Sequence, residues 1–145
     1  MDPNAESVKT QSLDWLLDEL VSKVDGTQHA TLLSADGLVK AYSNGLDQDD
    51  AEALAALASG VQSLARSAGD RFGGGPVQQT IIEMRHAFLL VTVAGEGACL
   101  AVQCAVTADV SLVAYEVNMT VSKVDEHLKT PARSPFTDSG TTTSS

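Results

Sequence analysis

Residues 87–94, Ala-Phe-Leu-Leu-Val-Thr-Val-Ala, constrain this chain more than any other stretch, because a strand of this composition is apolar on both of its alternating sides. Such a strand belongs inside a sheet that is covered on both faces. Helices are the simplest covers. The chain of 145 residues, 43% hydrophobic and 19% charged, is the right size for one layered globular domain, and a second domain is not expected.

The flanking text supplies the remaining elements. From Ser12, a candidate N-cap, apolar residues recur at Leu13, Leu16, Leu17, Leu20, Val21 and Val24, one stripe at helical spacing that Asp25-Gly26 stops. Thr27–Ala35 and Leu38–Ser43 read as strands joined by the two-residue link Asp36-Gly37, a hairpin signal. An acidic cluster, Asp47, Asp49, Asp50 and Glu52, then opens an alanine-rich helix predicted to run to about Ala68, where the carboxylates suit the positive end of the helix dipole. After a glycine-rich loop, three strands follow at 77–84, 87–94 and 98–106, the last two joined by Gly95-Glu96-Gly97. Thr107 or Asp109 caps a final helix with the stripe Val110, Val113, Val117, Val121, Val124 and Leu128, ending at Pro131. The predicted fold is α+β in the order α-β-β-α-β-β-β-α: a five-stranded antiparallel sheet, since most links are short, with helices on both faces. The expected domain spans 12–130, between a flexible start at 1–11 and a disordered Pro/Ser/Thr tail at 131–145.

Charge removes several classes of function. Nine basic residues against nineteen acids give a net charge of −10, which leaves no Lys/Arg face for nucleic acid or an anionic lipid surface. No apolar run reaches the ~18 residues of a bilayer span, and the opening MDPNAESVKT lacks the layout of a secretory signal, so the expected location is the cytoplasm. Cys99 and Cys104 lie five apart in one strand, point to opposite sheet faces and read as reduced core residues.

The second helix carries two stripes. At 100° per residue, Leu54, Leu57, Val61, Leu64 and Ala68 fall on one side, the expected sheet-facing side. Ala53, Ala56, Gly60, Ser63 and Ser67 recur on another, all of them small. This second stripe reads as a seam where another helix approaches closely, against the plainer reading of an alanine-rich solvent face. Gly60 favours the seam, since a mid-helix glycine costs about 1 kcal/mol relative to alanine.

No motif carries chemistry. The loop Gly69–Pro76 resembles a phosphate cradle, yet it follows a helix, lacks Gly-Lys-Ser/Thr and enters a strand. The acids at 47–52 lack the glycine and distal glutamate of a calcium loop and read as helix capping. His29, His86 and His127 sit in separate elements without ligand spacing. There is no GxSxG, no cysteine near a histidine and no evident acid–base pair. The chain therefore reads as a non-enzyme without cofactor or metal.

The segments LDWLLDELV, LLSADGLVKAYS, DDAEALAALASGVQSLAR, FLLVTVAGEGACLAVQ and ADVSLVAYEV together resemble the bacterial Roadblock (dynein light-chain-like) family, in its actinobacterial branch associated with a Ras-like GTPase. Ser34–Leu38 and Gly95–Ala101 are the strongest matches; Ser111, where many relatives place glycine, is a departure. The resemblance implies a Roadblock/profilin-like fold, dimers formed by paired third strands and second helices, and binding of a small Ras-like GTPase across the paired helices. The dimer interface is then expected at Ala53, Ala56, Gly60, Ser63 and Ser67, and the GTPase contacts at the polar positions Glu52, Ser59, Gln62 and Arg66. Arg66 is the foremost of these as the single basic residue in the predicted helix.

The resulting expectation is a homodimeric adaptor that binds a small GTPase and modulates its hydrolysis, in contact through its complex with a membrane sensor system. A scaffold without effect on GTP turnover is the alternative. A small-ligand sensor ranks lower, because the strands offer Ala, Cys, Leu and Val where a cavity needs polar lining.

Overall fold

The computed structural model describes residues 3–95 and 97–129, with side chains over 13–95 and 97–127. The elements are α1 (Pro3–Lys23), β1 (Thr27–Ser34), β2 (Val39–Tyr42), α2 (Gln48–Arg71), β3 (Gln79–Glu83), β4 (Ala87–Val93), β5 (Ala98–Ala105) and α3 (Val110–Lys129). All five strands join one sheet, ordered β2-β1-β5-β4-β3, and every neighbouring pair is antiparallel. This is the predicted α+β order. α1 is longer than its apolar stripe required, starting at Pro3 rather than after Ser12. The expected flexible start at 1–11 falls on residues whose side chains lie outside the described set, as does the tail at 131–145.

Both faces of the sheet are covered. β4 is buried on both sides from Phe88 to Thr92, as its apolar run required. One core lies between the sheet and the pair α1/α3, with Leu16, Leu17, Leu20, Leu32, Leu90, Leu100, Val113 and Val117 among its members. The second lies under α2 and contains Leu33, Leu89, Val91, Cys99 and Ala101. Cys99 and Cys104 thus sit on opposite faces, buried and free.

The two hairpin tips share a design and an end of the sheet. Ser34 donates its N–H to Leu38 O at 2.9 Å, enclosing Ala35, Asp36 and Gly37, with Gly37 at φ 88°. The loop therefore holds three residues rather than the two expected, and a register shift follows between Leu32 and Leu33. Ala94 N–H closes on Ala98 O at 2.9 Å in the same way. Ala35 N–H donates to Gly97 O at 3.0 Å, which ties the tips together.

The sheet-facing side of α2 differs from the predicted one. Its buried residues are Ala51, Leu54, Ala55, Ala58 and Gln62. Leu57 and Leu64 are 63% and 74% exposed, and Ala68 is exposed too. Relative to the expected stripe the helix is turned by about a quarter of a revolution. The physical reason is complementarity of size: the sheet presents the bulk of Leu33, Leu89 and Val91, so a close helix must answer with alanines. Leucines spaced for a core face are left outside.

Candidate interaction site on the second helix

Asp47 starts α2. Its Oδ1 accepts the N–H of Asp50 at 2.8 Å, with Asp49 and Asp50 in the first turn, so the acidic cluster caps the helix as the sequence indicated. Glu52 is exposed and accepts from Gln48 Nε2 at 3.1 Å. At the other end α2 runs one turn beyond Ala68, so Arg71 joins Arg66 as a second basic residue of the helix. The glycine loop then folds against the helix C-terminus: Gly74 N–H donates to Gly69 O at 2.9 Å, and a Cβ at Gly69 would collide with the carbonyl oxygen of Gly75. The loop is a tight connector after a helix.

The side of α2 turned away from the sheet combines both sequence stripes. Ala53, Ala56, Gly60, Ser63 and Ser67 are all exposed, and a Cβ at Gly60 would meet nothing within 4 Å. Leu57 and Leu64 stand together along one border of this small-residue strip, and Phe72, 80% exposed, follows its end. Three large apolar side chains around a bare backbone form an apolar ridge with a shallow valley. Nearby, β3 pairs with β4 alone among the described strands, so its outer edge is open.

The polar residues of α2 divide differently from expectation. Ser59, Gln62 and Arg66 converge on one cleft, where α2 crosses the joined hairpin tips; Leu33 and Cys99 are among its apolar lining, and Gly97 and Ala98 supply backbone. Glu52 is not part of it. Gln62 was expected on the exposed side, yet it is only 6% exposed, because it continues the Ala51–Ala55–Ala58 stripe and its stem lies on the sheet. Its Oε1 is buried without a hydrogen-bond partner among the described residues. Ser59 Oγ reaches Ala35 O at 3.5 Å. Burial pushes the Cys99 thiol up from its ordinary pKa, and the positive charge of Arg66 pulls it partly back.

Residues 13–104 match the Roadblock/LC7 domain family. The chain belongs to that family. A Roadblock/LC7 domain from Streptomyces avermitilis is 50% identical to it over 80% of this chain and 97% of its own, with a TM-score of 0.77. A second Streptomyces Roadblock/LC7 domain is 46% identical over 77% of this chain and 96% of its own, with a TM-score of 0.64. Myxococcus xanthus MglB, at 14% identity over 88% of this chain and 95% of its own, has a TM-score of 0.77 and so shares the fold. No curated protein matches the chain.

Within this Roadblock/LC7 domain, Ser59, Gln62 and Arg66 of α2 face a cleft whose other lining the sequence did not indicate. The cleft depends on Leu33, Ala35, Val93, Gly97, Ala98 and Cys99, which come from three separate segments. Their signal was topological: two hairpin turns, Asp-Gly and Gly-Glu-Gly, on strands that become neighbours in the sheet.

Proposed function

We propose that this Roadblock/LC7 domain is a non-enzymatic homodimeric adaptor that binds a small Ras-like GTPase in the cytoplasm and modulates its GTP hydrolysis. The observation that carries the reading is the outward face of α2, where Leu57 and Leu64 stand exposed beside the open backbone of Gly60 in a domain of this family. An apolar helix face of this kind favours a partner over water. Its self-complementary form, a ridge beside a strip of small residues, suits a two-fold contact with a second copy. The open edge of β3 extends such a contact by strand pairing. Ala53, Ala56, Gly60, Ser63 and Ser67 are the proposed seam.

The GTPase contact is drawn from the family resemblance and placed on the polar border of α2, at Glu52, Ser59, Gln62 and Arg66. Through this surface the dimer would hold the switch regions of the GTPase and reposition the groups that attack GTP, with a membrane sensor system reached through the complex. The cleft of about 90 Å³ is well below the ~300 Å³ at which metabolite sites begin, which weighs against a small-ligand sensor. No helix among the described residues is long and apolar enough to cross a membrane.

The test is a titration of a Ras-like GTPase from the same genome, loaded with GDP or a non-hydrolysable GTP analogue, followed by hydrolysis assays with and without the adaptor. Binding with altered turnover supports the reading. Binding with unchanged turnover leaves a scaffold, and absence of binding to every small GTPase of that genome removes the function.

A further inference from the structure

The cleft between α2 and the hairpin tips brings together one buried acceptor without a donor and one exposed cation. Gln62 is only 6% exposed, and its Oε1 lacks a donor among the described residues. Arg66, one turn further on and exposed, has no ion pair among the described residues. Both line the same space of about 90 Å³, with Leu33, Val93 and Cys99 as apolar lining and the Gly97–Ala98 backbone at its side. That volume corresponds to about three waters, or to one short side-chain head group. A planar guanidinium fork matches a carboxylate through two parallel N–H bonds. The amide oxygen needs the opposite chemistry, an N–H. One amino-acid residue supplies both.

We propose that this cleft receives an acidic side chain of a protein partner, its carboxylate paired with the Arg66 guanidinium and its own backbone N–H donated to Gln62 Oε1. The inference rests on the reading of α2 as a partner-binding surface and names the chemistry that surface selects. A rotation about the last torsion of Gln62, which is soft, turns the amide oxygen toward the entering N–H. Phosphate fits the contact less well, because it has no N–H, and the O–H of its neutral-pH forms is not held at a fixed distance from the charged oxygens as a backbone N–H is from its own side-chain carboxylate. Against a chain of net charge −10, an acid is held here only by local pairing, which makes the contact selective rather than a product of general attraction.

The experiment uses the full ¹⁵N-labelled chain at physiological salt, with N-acetylglutamate α-N-methylamide, which carries the side-chain carboxylate alone, as the probe. The neutral N-acetylglutamine α-N-methylamide and inorganic phosphate serve as separate arms. For so small a probe the expected affinity is millimolar. Saturable amide shifts are expected at 59, 62, 66 and 97–99, with at least tenfold weaker binding of the neutral glutamine amide. Arg66→Gln should abolish the shifts, and Gln62→Leu should weaken binding several-fold, while the remaining spectrum of each variant stays native. No saturable shifts, equal binding of the neutral probe, or binding of phosphate in preference to the acid would each overturn the proposal. So would binding seen only in Glu96→Gln, since the chain's own carboxylate would then be the occupant. Acid binding that persists in a chain unable to bind any GTPase defeats the function proposed above and leaves the cleft assignment standing.

Discussion

The carboxylate of Asp14 on α1 accepts the backbone N–H of Tyr42 on the edge strand β2 at 3.0 Å. One turn along α1, Asp18 accepts the N–H of Asn44 at 2.6 Å. These two acids occupy outward donors at one border of the sheet, so α1 discourages strand addition there. The opposite border, β3, has no such cover among the described residues. The sheet is thus asymmetric in its readiness to pair, and that asymmetry directs any sheet extension to the β3 border.

Asp14 should reveal itself through pH. Burial raises its pKa above the ordinary aspartate value; the Tyr42 N–H opposes this, and the neighbouring charge of Asp18 adds to it. A folded-state pKa above the unfolded one means that the stabilising contribution is fully present below about pH 4 and is lost as the pH rises through the folded value. Asp14→Asn, which keeps the acceptor and removes the charge, should therefore melt no lower than wild type at pH 7, with the difference shrinking toward pH 4. Asp14→Ala removes the acceptor and should cost about 1 kcal/mol at both pH values. Paired thermal melts at the two pH values measure this, and an Asn variant less stable than wild type at pH 7 contradicts it.

Gly95 occupies a position that only glycine fits without strain. It adopts φ +75°, and a Cβ there would lie 2.6 Å from Asp125 Oδ1 of α3. Gly95→Ala should lose at least about 1–2 kcal/mol, from the left-handed backbone and the displaced carboxylate together. Denaturant unfolding reads the loss directly. A neutral outcome would mean that α3 yields to the tip of the β4–β5 hairpin.

What the sequence revealed depended on which physical signal carried the information. β4 announced a covered sheet because Phe88, Leu90 and Thr92 face one core while Leu89 and Val91 face the other, so no solvent side existed to confuse the period. Asp47, Asp25-Gly26 and Asp36-Gly37 acted locally, and local chemistry is legible without the rest of the chain. The face of α2 was not legible, because a count of large apolar residues favours Leu57 and Leu64 over Ala51, Ala55 and Ala58. Only the bulk of Leu33 and Val91 on the sheet decides that the alanines go inward. Gln62 was misplaced for the same reason, as a polar residue on what became the buried stripe. Arg66 was marked as important, but its setting beside Cys99 and Gly97 needed the strand order.

The two cysteines should behave as protected, unpaired thiols. Burial raises both pKa values, with Thr27 partly opposing the shift at Cys104, and the residues lie on opposite faces of β5. Both should react with a thiol reagent at pH 8 far more slowly than in denaturant, and air oxidation should yield no intrachain disulfide. Mass spectrometry after timed alkylation checks both statements. Rapid labelling of Cys99 alone would mean that the cleft opens deeply enough to expose it.

The exposed face of α2 gives the prediction that best separates folding from assembly. Leu57 is 63% exposed and the space over Gly60 is open, so neither Leu57→Asp nor Gly60→Leu should unfold a monomer; surface changes of this kind fall within about 0.5 kcal/mol. If α2 forms the seam between two copies, both variants should weaken the dimer at least tenfold, one by placing a charge against an apolar ridge and the other by filling the valley that lets two helices approach. Ala58→Asp is the contrast, because Ala58 is fully buried against the sheet and an unpaired charge there should destroy the fold. Light scattering should give twice the 15.1 kDa chain mass for wild type and the single chain mass for the first two variants at low micromolar concentration. Circular dichroism should remain native for those two and collapse for the third. A wild-type monomer at all micromolar concentrations removes the dimer, and loss of helical signal in Leu57→Asp would place that leucine back in the core.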